Sequence, residues 1–255
     1  MRILVAIPVY NEQSTVEGVI RRVREHADHV LAVDDGSTDT TPAILNDLRA
    51  EMGLDLIRHE ANAGYGRSVR EAFRRASDRG FDWVITMDCD EQHEPAAIPA
   101  FVERCVANES DIVSGSRYLA ASGAAGHAPP ADRRAINGTI TTELNERLGL
   151  ALTDGFCGFK AHRVSAMDRL ELTENGYAFP MQLWAQAAAR GLRVEELPVE
   201  LIYNDPNRTF GNGLDDAEIR LAHYRGVLDR EIARVAHMMT EPAAADAGAC
   251  SGCCR

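Results

Sequence analysis

Trp83-Val84-Ile85-Thr86-Met87-Asp88-Cys89-Asp90-Glu91-Gln92-His93 joins a short apolar, β-branched run to a cluster of acids. The run is too short for a globular helix and has no polar face, which is the pattern of a strand buried on both sides of a sheet. Residues 3–9, 30–33, 54–57 and 112–114 share that character, so 83–87 is one of five such strands. Between them lie helix-period stretches near 16–25, 42–51, 68–79 and 96–106, and Pro42 after Thr40-Thr41 marks one helix start. Strand–helix alternation of this kind predicts an α/β fold with a mostly parallel central sheet flanked by helices.

Beyond Ser114 the pattern changes. Residues 120–131 are rich in Gly, Ala and Pro and read as a mobile loop. A polar helix near 134–148 follows, then the Gly-rich stretch 155–160, a helix over 179–190 and short strands near 194–197 and 199–203. Leu221, Tyr224, Leu228, Ile232 and Val235 make one apolar stripe on a last helix. The expected organisation is a domain over 1–214, an amphipathic helix within 215–240 and a disordered Ala-rich tail over 241–255.

Composition narrows the function. The chain has 255 residues, 45% hydrophobic and 26% charged, which is ample for a packed core and excludes a disordered or collagen-like protein. Lys and Arg number 27 against 39 Asp and Glu, a net charge of −12 that opposes binding to nucleic acid. No apolar run is long enough to span a bilayer, and 3–9 lacks the form of a secretory signal, so the expected location is the cytoplasm. There Cys89, Cys105 and Cys157 read as reduced core fillers, and Cys250, Cys253 and Cys254 as part of a frayed terminus.

Ligands of open α/β sheets bind at the carboxyl ends of the strands, where this chain keeps its acids. The first strand ends in Pro8-Val9-Tyr10-Asn11-Glu12, the second in Val33-Asp34-Asp35-Gly36-Ser37, and the fourth in Asp88-Cys89-Asp90. Two carboxylates at i and i+2 of an extended segment point to one side and repel unless a cation sits between them. Hard oxygen donors in an incomplete set suit Mg²⁺ or Mn²⁺, while a solvated acidic loop has the same composition. An EF-hand loop does not fit, because His93 and Pro99 stand where that loop needs Gly and Glu. Gly64-Tyr65-Gly66-Arg67-Ser68-Val69 imitates a dinucleotide fingerprint but ends in Val69, which leaves both a plain loop and a phosphate-approaching turn open.

In their order along the chain, Pro8-Val9-Tyr10-Asn11-Glu12, Val33-Asp34-Asp35-Gly36-Ser37-Thr38-Asp39, Asn62-Ala63-Gly64-Tyr65-Gly66, Met87 to His93 and Gly115-Ser116-Arg117 form a specific set. The set resembles the family 2 inverting glycosyltransferases of GT-A fold, and within them the dolichol-phosphate mannose synthase and polyprenyl-phosphate glycosyltransferase group. Asp154-Gly155-Phe156-Cys157-Gly158-Phe159 and Gly176-Tyr177-Ala178-Phe179 continue the likeness, which covers roughly 2–212.

The resemblance implies a nucleotide-diphospho-sugar transferase fold and a hexose donor such as GDP-mannose or UDP-glucose. By that likeness Pro8, Tyr10 and Glu12, with Asp34 or Asp35, hold the base and ribose. Asp88, Asp90 and Gln92 hold a Mg²⁺ or Mn²⁺ ion on the donor diphosphate, with Asp88 also touching the donor. Arg117, Arg133 and Arg208 bind the phosphate of a polyprenyl or dolichyl acceptor. Asp154 matches a carboxylate that orients or deprotonates the acceptor, and Asp90 and Asp154 are the expected catalytic acids. His93 reads as a loop residue behind the ion.

The chain departs from the group in three places. No stretch of it reads as a membrane helix, Asn137 stands where Ser is usual, and Asn207-Arg208-Thr209-Phe210-Gly211-Asn212-Gly213 lacks the Lys of the group's late motif. These departures leave open a soluble or protein-bound acceptor for the same donor chemistry, or a nucleotide-binding module without catalysis. Arg220, Arg225, Arg230 and Arg234 flank the last helix's stripe. That is compatible with peripheral contact at the cytoplasmic membrane face, although Asp229 and Glu231 dilute the basic side and favour packing.

Overall fold

The computed structural model describes residues 1–119, 124–126, 131–203 and 214–239. The first part of the chain runs β1 (Ile3–Val9), α1 (Val16–Arg24), β2 (Val30–Asp34), α2 (Thr41–Met52), β3 (Asp55–Arg58), α3 (Tyr65–Asp78), β4 (Trp83–Thr86), α4 (Ile98–Ala107) and β5 (Ile112–Ser116). It continues as β6 (Ala124–Gly126), α5 (Ala131–Leu148), β7 (Lys160–Arg163), α6 (Val164–Met167), α7 (Phe179–Ala189), β8 (Val194–Pro198), β9 (Leu201–Tyr203) and α8 (Ala217–Met239).

Seven strands form the main sheet in the order β3-β2-β1-β4-β7-β5-β8, and β6 pairs with β9 in a small second sheet. Every pairing in the main sheet is parallel except those of β7, which runs antiparallel to β4 and β5 with Lys160 opposite both Thr86 and Ser114. Because β7 is reversed, it begins at the rim where its neighbours end. The loop before it, residues 154–159, therefore lies on the same face as the loops that follow β1, β2, β4 and β5.

Alternation along β1 explains the layers. Leu4 and Ala6 pack with α3, α7 and α8, while Val5, Ile7 and Val9 pack with α1, α2 and α4. Each face so filled contributes about 1.5–3 kcal/mol per large apolar side chain removed from water. Trp83, Trp184, Phe101 and Phe159 are the largest fully buried side chains.

Two expectations are corrected. The stretch 155–160 was not expected to lead into a strand, yet β7 is central to the sheet. Its Lys160 and His162 are buried polar residues, so no apolar run marks it. The stretch 120–131, expected to be a loop, contains β6 and the first residue of α5.

Helix α8 packs along α7 and α5. Tyr224, Leu228 and Val235 of its stripe are buried, with Leu221 and Ile232 packed against them. Arg220 is buried against Asp132 at 3.0 Å, Arg225 pairs with Glu143, and Arg234 with Glu171 and Glu231. Three of the four flanking arginines thus bind acids of this fold. Among the described residues no helix is long and apolar enough to cross a membrane. The expected tail over 241–255, with its cysteines, lies outside the described residues, whereas Cys89, Cys105 and Cys157 are buried and form no disulfide among the described residues.

Candidate active site

The strand-end loops open on one cavity of about 940 Å³. Pro8, Tyr10, Glu12, Asp35, Asp88, Asp90, Gln92, Arg117 and Arg133 all line it. Asp34 and Asp154 do not, and Arg208 lies outside the described residues.

The side over β1, β2 and β3 is held by backbone contacts. Asn11, at φ 55°, accepts from the Thr38 N–H through Oδ1 at 2.8 Å and donates its own N–H to Ser37 Oγ at 2.9 Å. Glu12 accepts from Thr15 Oγ1 at 2.8 Å, and Tyr10 projects outward, 44% exposed.

The adjacent acids Asp34 and Asp35 point to different places. Asp34 is buried under the loop, where it accepts the Ser37 N–H and meets Arg58 at 3.2 Å, and of the two acids it is the one that does not line the cavity. Asp35 reaches the cavity. It accepts the N–H groups of Ala63 and Gly64 at 2.9 and 2.8 Å and meets His59 Nδ1 at 2.6 Å. Gly64 itself, at φ 101°, passes so close to Asn175 that a Cβ would lie 2.3 Å from its carbonyl oxygen, which is why this turn requires glycine.

Past β4 burial goes on alternating up to Asp90, although the chain bends from Cys89 and Glu91 has φ 59°. Met87 and Cys89 turn into the core, while Asp88 and Asp90 are half-buried in the cavity wall. Both acids line the cavity. Asp90 accepts the Gln92 N–H at 3.1 Å. The Asp88 N–H donates to His93 Nδ1 at 3.1 Å, which puts the imidazole proton on Nε2, facing Cys157 Sγ and Asp88 Oδ2 at 3.9 Å each. His93 is thus a buried support of this loop.

The Asp88 carboxylate rests on the backbone of Gly158, where a Cβ would come within 2.3 Å of Oδ2. Two carboxylates and an amide oxygen give a hard-oxygen donor set, and Gly158 leaves the space that one of them fills. Among the described residues no group of three His, Cys, Asp or Glu makes a closed cage. Such an open set fits a divalent cation that takes its remaining ligands from a diphosphate and water.

On the other side of β7, Arg117 follows β5 and lies over Asp154. The acid is fully buried and accepts from Arg117 N, Nε and Nη2 at 3.2, 2.7 and 3.0 Å, and from the N–H groups of Phe156 and Cys157 at 3.1 Å each. Burial pushes its carboxyl up, but the Arg117 guanidinium outweighs burial and holds it below the usual carboxylate range. Of the two roles expected for Asp154, orienting or deprotonating the acceptor, this geometry suits the first: its lone pairs are used and it does not line the cavity. It fixes Arg117.

Several wall residues were not singled out as site residues in the sequence. Tyr65 and Tyr177 stack with ring centroids 6.2 Å apart, and burial followed by the charge of Asp88 pushes the Tyr65 phenol well above its ordinary value. Arg134, Asn137, Arg220 and His223 line the wall beside Arg133. Arg220 could have been found, since it stands four residues before Tyr224 on the buried stripe itself.

The sequence profile of glycosyl transferase family 2 matches residues 4–170. The chain belongs to this family. It is a glycosyltransferase of GT-A fold, as the motif set implied. Polyprenol monophosphomannose synthase of Mycolicibacterium smegmatis is 29% identical over 240 residues, which cover 90% of this chain and 89% of that protein. Undecaprenyl-phosphate mannosyltransferase of Micrococcus luteus is 29% identical over 208 residues, 79% of this chain and 84% of its own. Among solved structures, glucosyl-3-phosphoglycerate synthase of Mycobacterium tuberculosis, in complex with Mn²⁺, UDP-glucose and phosphoglyceric acid, superposes with a TM-score of 0.68. It is 20% identical, and the match covers 92% of this glycosyltransferase and 80% of that chain.

Proposed function

We propose that this glycosyltransferase moves a hexose, mannose or glucose, from GDP-mannose or UDP-glucose to a polyprenyl or dolichyl phosphate, with inversion and with Mg²⁺ or Mn²⁺. One observation carries the reading: a single cavity holds the carboxylates of Asp88 and Asp90 after β4 and the arginines Arg117, Arg133, Arg134 and Arg220 around β5, α5 and α8. The names of the relatives support the acceptor class.

In this reading Pro8, Tyr10, Glu12 and Asp35 hold the nucleoside, with Asp35 kept in place by Ala63 and Gly64. Asp88, Asp90 and Gln92 hold the cation, which supplies charge stabilisation to the departing diphosphate. Arg117 and Arg133 hold the acceptor phosphate, a task suited to the planar guanidinium fork, and Arg208 is proposed to join them. A phosphate oxygen of the acceptor attacks C1 of the sugar, forming an O–C1 bond as the bond from C1 to the diphosphate oxygen breaks. The acceptor phosphate has its second pKa near ~6 and is already largely dianionic at neutral pH, so the step needs no protein base. That agrees with an Asp154 spent on Arg117. Phe156, Tyr177, Tyr224, Leu201 and Ile219 add apolar wall next to the arginines, in keeping with a lipid acceptor.

The test is incubation with labelled GDP-mannose or UDP-glucose, Mn²⁺ and polyprenyl phosphate in detergent, beside water-soluble phosphorylated acceptors. A solvent-extractable sugar lipid is the expected product. Label appearing only in the soluble acceptors overturns the lipid assignment, and nucleotide binding without any transfer overturns the reaction.

A further inference from the structure

The two halves of the cavity, which the proposed function gives to different substrates, rest on one loop, residues 154–159. At its start Asp154 grips Arg117. Near its end Gly158 is the surface on which the Asp88 carboxylate lies, and the Gly158 carbonyl accepts from Thr86 Oγ1 at 2.8 Å. In the middle, the Cys157 N–H donates back to Asp154 Oδ1, and the Cys157 carbonyl accepts from the ammonium of Lys160.

Lys160 is an unusual residue to find there. It is 4% exposed at the head of β7, in the middle of the sheet, and its ammonium touches the Cys157 carbonyl with no carboxylate of the described residues in direct contact. It lies 5.5 Å from the centre of the Trp184 ring, whose Nε1 donates to the Gly155 carbonyl at 2.8 Å. Lys160 and Trp184 therefore fasten the middle and the start of the same loop. Burial pushes the lysine's pKa down, only partly offset by acids nearby, Asp154 and Asp88 among them. A buried ammonium without a direct counter-ion is costly, and an apolar residue of like volume would avoid that cost.

Building on the donor and acceptor assignment above, we propose that Lys160 is a positioning residue. By holding the Cys157 carbonyl it sets the register between Asp88 on the donor side and Arg117 on the acceptor side. Neither substrate touches it. Each side keeps its own local contacts without it, so each substrate still binds, but the acceptor oxygen and the sugar carbon no longer meet at reacting distance. Misplacement by about 1 Å can cost about 10²-fold in rate.

The test compares Lys160→Met, which keeps the length of the side chain and removes its donor and charge, with Lys160→Arg, which keeps both. The expected result for Lys160→Met is a kcat lowered about 10²-fold, with KM for donor and acceptor each within about twofold of wild type, and recovery of most of the rate in Lys160→Arg. Calorimetric affinity for the nucleoside diphosphate with Mn²⁺ stays within twofold. Amide hydrogen exchange gives a readout that needs no turnover: the N–H groups of Phe156 and Cys157 exchange faster in Lys160→Met and return towards wild type in Lys160→Arg. Unchanged exchange in that loop, or an unchanged kcat, overturns the proposal, as does a fall in nucleotide affinity beyond tenfold. Failure of the wild-type protein to transfer sugar counts against the proposed function instead, and the exchange measurement still decides the role of Lys160.

Discussion

Arg117 and Asp154 form a two-pronged ion pair, Nε to Oδ2 at 2.7 Å and Nη2 to Oδ1 at 3.0 Å, with the acid fully buried and the arginine at the cavity wall. The pair makes the carboxylate a support for a guanidinium at the cavity wall, the one that the proposed function gives to the acceptor phosphate. Asp154→Asn keeps the shape but leaves Arg117 without its charge partner. Removing one member of a buried pair costs about 3–5 kcal/mol. The expected outcome is a loss of that order in urea unfolding, together with a raised KM for the acceptor. Wild-type kcat should show an acidic limb near the second pKa of the acceptor phosphate, about 6, because Asp154 stays ionised well below that pH. A variant of full stability and unchanged acceptor KM would contradict the assignment.

A second prediction concerns the cation. A ligand that binds only the folded state at 100 times its Kd stabilises it by about 2.7 kcal/mol. For a chain of this size that is roughly 5–10 °C in Tm. The Tm should rise by this amount with UDP or GDP plus Mn²⁺, and EDTA should return it to the value with nucleotide alone. Asp88→Ala and Asp90→Ala should each abolish the metal-dependent part. Melting curves that ignore EDTA would count against a metal at these acids.

Gly158 offers a sharper version of that experiment. A methyl group there would sit 2.3 Å from Asp88 Oδ2 and 2.7 Å from its Cγ and Oδ1, so it meets the carboxylate of a side chain rather than backbone. The side chain, and not the main chain, is what must move. Gly158→Ala is therefore expected to change unfolding free energy by less than about 1 kcal/mol, within the usual range for a substitution without core strain. It should still lose the metal-dependent Tm shift as completely as Asp88→Ala. Retention of that shift would show that the Asp88 carboxylate does not need its seat on Gly158.

How much of this could be read in the sequence depended on whether burial and polarity agreed. β1, β2, β4 and β5 are visible as short apolar runs because each is buried on both faces. β7 is buried just as deeply, but two of its four residues are Lys160 and His162, so periodicity gives it no signal. The acids at the strand ends were legible because a parallel sheet sends its loops to one rim. The division of labour between Asp34 and Asp35 was not, since neighbours in a loop face opposite ways and only the hydrogen bonds to Ser37, Ala63 and Gly64 separate them. Asp154 resembles a reactive acid in its motif, and its burial under Arg117 is a tertiary fact that no local pattern carries.

The last prediction follows from the histidine in β7. His162 is 1% exposed, its Nδ1 has no hydrogen-bond partner, and its ring meets Phe73 edge-on at 4.9 Å. Burial, and then the charge of Lys160, push its pKa down from the ordinary value to about 3. The unfolded chain accepts a proton on this ring below about pH 6.5, where the folded chain cannot. The stability linked to His162 is therefore fully present above about pH 6.5 and is lost as the pH falls, by up to about 1.4 kcal/mol per pH unit, levelling off only near the folded value. Other groups titrate over the same interval, so the measurement is a difference. His162→Phe keeps an aromatic ring against Phe73 and removes the titration. Between pH 7 and pH 5 the wild type should lose about 2 kcal/mol more than His162→Phe in urea-unfolding free energy. Parallel pH profiles for the two proteins would mean that the ring takes up its proton in the folded state.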